Sequence, residues 1–161
     1  MLDYRIILFS YLPCMIFAAY TGLAWLGVRL QARIAIFAGI TAAILDFLAR
    51  KMFIPMGIPP GWDLPIMVLI LALVLKFYAR ERWAVVFGGS LISYILIAAG
   101  DYIIAPQVVK VLGTTPEEMW KNPWLVVFIG NICASLLYIS GLVAGFGKFK
   151  IVDLSHIKVH S

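Results

Sequence analysis

Five stretches of this chain are each apolar enough to cross a bilayer, and together they take up most of its 161 residues. A polypeptide of this kind has few options. In hydrocarbon every backbone N–H and C=O must find a partner within the protein, so spanning segments are helices or closed barrels. A barrel reads as short segments of alternating polarity, whereas these runs are continuous. The expected fold is all-α: a polytopic membrane helix bundle of five transmembrane helices over residues 1–146, with a short cytoplasmic tail over 147–161.

Composition supports lipid as the solvent. Hydrophobic residues make up 63% of the chain and charged residues 13%, against roughly 45–50% and about 25% in soluble domains. The net charge of +5 does not point to nucleic acid. The basic residues sit at the ends of apolar runs, where Lys and Arg face headgroups and fix orientation, and no basic stripe or nucleic-acid module accompanies them. Cys14 and Cys133 fall inside apolar runs without a C-x-x-C pair, and read as small buried hydrophobes.

The runs can be placed in order. The first, Ile6–Val28, is too long for the apolar core of a signal peptide and is expected to stay in the membrane, kinked at Pro13. The second covers about Ile34 to Phe53, with Arg50 and Lys51 snorkelling near its end. The connector Ile54–Trp62 holds three prolines and two glycines, and Trp62 suits the interface. Asp63 and Pro65 open the third and shortest run, which ends near Tyr78. A tight basic hairpin at Ala79–Arg82 leads to the fourth, Trp83–Ala105, where Gly88-Gly89-Ser90 permits close helix approach.

The connector Pro106–Asn122 contains Thr115-Pro116-Glu117-Glu118, the pattern of a capping box, which predicts a short surface helix over Pro116–Lys121. Asn122-Pro123 then caps and starts the fifth run, Pro123–Phe146. Its Gly141 and Gly145 form a small-x-x-x-small face that would suit a homodimer. The tail from Gly147 is expected to be a strand or an interfacial segment.

Orientation follows from charge. Five spans leave the termini on opposite sides. One side collects Arg29, Arg33, Lys76, Arg80, Arg82, Lys148, Lys150 and Lys158; the other has Arg5, Arg50, Lys51, Lys110 and Lys121. The positive-inside rule places the N-terminus outside a bacterial plasma membrane and the C-terminus in the cytoplasm.

Three polar side chains stand out within the spans. Asp46 and Asp101 are the acids, and Asn131 enters from the same outer side. A carboxyl at a helix centre costs roughly 2.5–3.5 kcal/mol on insertion scales. The three are expected to converge at one depth as a ligand pocket, with Trp62 near its mouth. The plainer reading is local: Asp46 pairs with Arg50 four residues on, and Asp101 is wet at the interface. Catalytic residues are not expected, because Ser90, Ser93, Ser135 and Ser140 lack a His or acid partner. His156 and His160 lack a third ligand, so neither a metal nor a cofactor is expected.

The order GDYIIAP, then LGTTPEEMWKNPWL, then a helix containing Asn131 resembles the N-terminal membrane regions of bacterial sensor histidine kinases of the GHKL superfamily. The resemblance covers about Gly100–Ser140. It implies a multi-pass sensory module that detects an extracellular small molecule or peptide and passes the change to a membrane or cytoplasmic signalling partner. Those kinases continue into a phospho-accepting helical segment and an ATP-binding domain. His156 and His160 do not sit in such a segment, so the expected reading is a stand-alone or truncated, non-enzymatic module. A small-molecule transport subunit and a cell-envelope scaffold are the alternatives. Transport is set back by the expected lack of paired broken helices.

Overall fold

The computed structural model describes residues 3–53 and 64–146, and every regular element in them is helical. Helix α1 is Tyr4–Trp25, α2 Ala32–Phe53, α3 Leu64–Ala79 and α4 Trp83–Val111. The short α5 is Pro116–Lys121, and Ala134 separates α6, Pro123–Cys133, from α7, Ser135–Phe146. Four segments are long and apolar enough to cross a membrane: Tyr4–Trp25, Ala32–Ala49, Trp83–Val111 and Pro123–Gly145. The apolar α3 has 16 residues, about 24 Å of helix against a hydrocarbon core of about 30 Å. The connector with Trp62 and Asp63 and the tail from Gly147 lie outside the described residues.

Helix ends follow local chemistry. Helix α1 stops earlier than its apolar run because Gly27 takes φ 81°, and the Gly27 and Val28 amides turn back to the carbonyls of Ala24 and Leu23. That is a Schellman closure, for which glycine is suited. Gly113, at φ 62°, closes α4 in the same way, with Thr114 N–H on the Val109 carbonyl. The capping box forms: Thr115 Oγ1 accepts from the Glu118 amide at 3.3 Å, and Glu118 accepts from the Thr115 amide at 3.2 Å. Asn122 Oδ1 then accepts from the Trp124 and Leu125 amides and starts α6.

Helix α1 is the axis of the bundle. It packs against α2, α4 and α7, while α3 bridges α2 and α4. A helix surrounded on several sides must be buried nearly all round. Ala18, Ala19, Thr21, Gly22, Leu23 and Ala24 are all buried, covering more than one face. All but Leu23 are small, which is what a central helix needs if its neighbours are to come close.

The closest approach is between Gly22 of α1 and Gly89 of α4, where a Cβ on Gly22 would fall on the Gly89 carbonyl. Ser93 Oγ, one turn on, donates to the Ala18 carbonyl at 2.7 Å and adds a polar tie across the same interface. Gly141 and Gly145 do not form a free face. Gly141 meets Thr21, and Gly145 meets Tyr20. The small face that suited a homodimer in sequence is taken up by α1, because the chain's own first helix fits it.

Replacing Gly22 with Ala should force α1 and α4 apart and lower stability by about 1–3 kcal/mol, the usual range for overpacking. Gly88→Ala should change it little, since its nearest neighbour, Leu26 Cδ1, lies 3.5 Å from the added carbon. Unfolding midpoints of the two variants in the same detergent measure the difference.

Candidate functional site

The least regular part of the bundle lies at one level of three helices. A π-turn occupies Ile7–Tyr11 of α1, and a second occupies Gly100–Ile104 of α4. Each ends two residues before a proline, Pro13 and Pro106. The cause is common to both. Proline has no N–H, and its ring crowds the carbonyl four residues back. A turn of i→i+5 bonding just upstream shifts that carbonyl away. The Leu12 amide bonds to the Ile7 carbonyl, and the Ala105 amide to the Gly100 carbonyl, in this longer register. In sequence Pro13 predicts a kink; in the structure the helix adjusts by a π-turn. Helix α4 passes through Pro106 to Val111 by the same device, beyond the end expected at Ala105.

The third irregularity is in the last span, which breaks at Ala134. These places meet. Gly130 faces Ser10 of the first π-turn, and Gly100 of the second packs against the Cys133 carbonyl so closely that a Cβ would overlap it. All three are irregularities within helices that run on through them, and they touch.

Asn131 joins this layer together. Pro13 cannot donate to the Phe9 carbonyl, which in a regular helix would accept from residue 13. In a membrane an unmet carbonyl costs several kcal/mol. Asn131 Nδ2 donates to that Phe9 carbonyl at 2.9 Å and to Val127, one turn back on α6, at 2.8 Å. Tyr138 donates its hydroxyl to Asn131 Oδ1 at 3.2 Å. An amide side chain has two N–H donors, and both are used. Asn131 is an internal clasp between α1 and the last span. Beyond the clasp, toward the N-terminal end of α1, the Phe9 and Trp124 rings lie tilted with centroids 5.7 Å apart, and the Arg5 guanidinium lies 5.7 Å from the Trp124 ring centroid.

The expected site residues are placed unequally. Asp101 lies in the second π-turn, which packs against α6, the helix of Asn131. It is exposed. It stands about 27 Å along the helix from Trp83, where a bilayer-spanning helix reaches headgroup depth. Asp46 is 1% exposed, on α2, whose main neighbours are α1 and α3. It therefore sits in a different part of the bundle from Asn131. The Arg50 side chain, with which Asp46 was expected to pair, and Trp62 lie outside what the structure describes. Among the described residues, no three His, Cys, Asp or Glu side chains gather to hold a metal ion, and His156 and His160 are outside that set.

Sequence reasoning missed Ser10, Pro106 and Tyr138 as members of this layer. The available signal was a proline with a carbonyl four residues back that has no amide donor, together with an amide side chain at matching depth in another span. Tyr138, seven residues after Asn131, lies on the same helical face. Comparison with known proteins gives no match to a family model, a curated protein or a solved structure.

Asn131→Leu should destabilise the wild-type chain by about 1–2 kcal/mol, in the range of an interhelical hydrogen bond and its unmet acceptor. In a Pro13→Ala background the loss should shrink, because residue 13 can then donate to Phe9. A double-mutant cycle on detergent unfolding measures the coupling, and additive effects would contradict the clasp.

Proposed function

We propose that the chain is a non-enzymatic sensory and interaction module of a bacterial plasma membrane. It crosses the bilayer five times, with the N-terminus outside and the C-terminus in the cytoplasm. The observation that carries this reading is the layer of two π-turns and a helix break held by Asn131. A π-turn holds one residue more than an α-turn, so converting one to the other rotates the helix beyond it by about 100°. Sensory switching needs an element with two arrangements and a ligand that favours one of them. An extracellular small molecule or peptide acting near Asp101 and Asn131 has such an element within reach. The α7 end would carry the change to a membrane or cytoplasmic signalling partner. The resemblance of Gly100–Ser140 to sensor histidine kinase membrane regions points the same way.

A transport subunit is the second reading, supported by the gathering of three helix irregularities at one level, since irregular backbone in spans lines many transporter sites. Hydrogen exchange of the full chain in nanodiscs distinguishes the two. On a sensory role, a small-molecule and peptide extract of spent growth medium changes exchange in Leu8–Leu12, and Asn131→Leu removes the response. On a transport role, vesicles carrying the protein accumulate a labelled component of that extract. Unchanged exchange together with accumulation would replace the sensory reading.

Topology has its own test. Single cysteines at Asp3 and Ser161, in a chain lacking Cys14 and Cys133, should label from opposite sides of intact cells, Asp3 from outside. Labelling from one side would mean that the short α3 does not cross.

A further inference from the structure

At the opposite end of α4 from the Asn131 layer, the hairpin joining α3 to α4 forms an open groove lined by Leu73, Lys76, Phe77, Tyr78, Arg80 and Trp83. We propose that this groove binds the headgroup of an anionic phospholipid, with an acyl chain running down its apolar side.

Its parts are arranged along the helix axis as such a lipid is. Arg80 and Arg82 belong to the turn outside the two helices, and Lys76 is in the last turn of α3. Tyr78 and Trp83 lie at the level where aromatic side chains favour the membrane interface. Leu73, about one turn deeper in α3 than Lys76, is 49% exposed, and Phe77, in the last turn of α3, is 77% exposed; together they give the groove an apolar wall that continues toward the membrane interior at Leu73. A soluble phosphate would have no use for that wall.

The cations are held for the purpose. The Lys76 ammonium donates to the backbone carbonyl of Glu81 at 2.5 Å and lies 5.8 Å from the Trp83 ring centroid. One acceptor leaves an ammonium, which has three N–H bonds, with donors to spare for a phosphate. Arg80 is the more telling residue. Its φ is 55°, the one non-glycine residue with positive φ among those described. Glycine would take that conformation without strain, yet the turn holds a guanidinium there, exposed at the edge of the groove. Strain of this kind gathers where a side chain has work to do. The guanidinium fork matches two phosphate oxygens, as a lysine cannot. Glu81 is the one acid in the turn, set against three cations.

The test uses native mass spectrometry of the purified chain in a neutral detergent. Phosphatidylglycerol and phosphatidylcholine with the same acyl chains are titrated in parallel. The first phosphatidylglycerol should bind at about tenfold lower concentration or better, as expected from pairing with two or more cations. The double variant Lys76→Gln, Arg80→Gly should lose that preference while remaining as stable as the wild type, since glycine suits the turn. Lys110→Gln with Lys121→Gln, which removes two cations at the other end of the bundle, should keep it. Equal binding of the two lipids by the wild type would overturn the proposal, as would an equal loss in the Lys110, Lys121 control. Glycerol phosphate without acyl chains should not displace the lipid; displacement at equal concentration would make this a soluble-anion site instead.

Discussion

The bundle depends on how closely α1 lets its neighbours approach. Lipid tails are as apolar as leucine, so burying apolar surface between helices gains little in a membrane, and helices associate by dispersion contact and by hydrogen bonds. Both need short distances. Alanine, glycine and threonine along Ala18–Ala24 let α4 reach Gly22 and let α7 reach Thr21. Polar ties then form at the interfaces this opens: Ser93 on the Ala18 carbonyl, Thr21 on the Leu137 carbonyl, and the Trp25 indole N–H on Ser140 Oγ at 2.6 Å.

Toward the N-terminal end of α1 the same helix meets a different problem. Proline removes a donor, and water is not there to replace it. The solution is distributed. A π-turn moves the crowded carbonyl, Gly130 makes room for Ser10, and Asn131 supplies the missing N–H from another helix. Pro106 in α4 brings a second π-turn against the same stretch of the last span. One half of α1 is held by small-residue packing, and the other by a regular helix giving way to a π-turn bridged by a side chain from another helix.

Much of this was legible in the sequence, for physical reasons that can be named. Capping uses neighbours in the chain, so Thr115, Glu118, Asn122 and Pro123 disclosed α5 and the start of α6. The Gly88-Gly89 pair disclosed a close approach, though not that Gly22 was the partner. Non-local pairings were hidden. Gly141 and Gly145 looked like a surface for a second copy because spacing alone does not say whose helix fills the groove. Asn131 was picked out as polar, but its use depends on a carbonyl 122 residues earlier. Sequence depth groups Asp46 with Asn131, and depth does not say which way a helix faces: α2 packs on α1 and α3. The π-turns were missed because a proline in a span announces a disturbance but not how the backbone will absorb it.

The central position of α1 bears on how the protein is made. It is made before the other described helices, yet the partners of Phe9, Thr21 and Trp25 are 122, 116 and 115 residues further along the chain. During synthesis this helix enters the bilayer with its small-residue surfaces and its proline-freed carbonyl facing lipid or the insertion machinery. Those surfaces are closed only after the last span arrives. Biogenesis therefore runs from the centre outward with the final seam sewn last, and a nascent chain halted before Asn131 leaves its own axis uncovered.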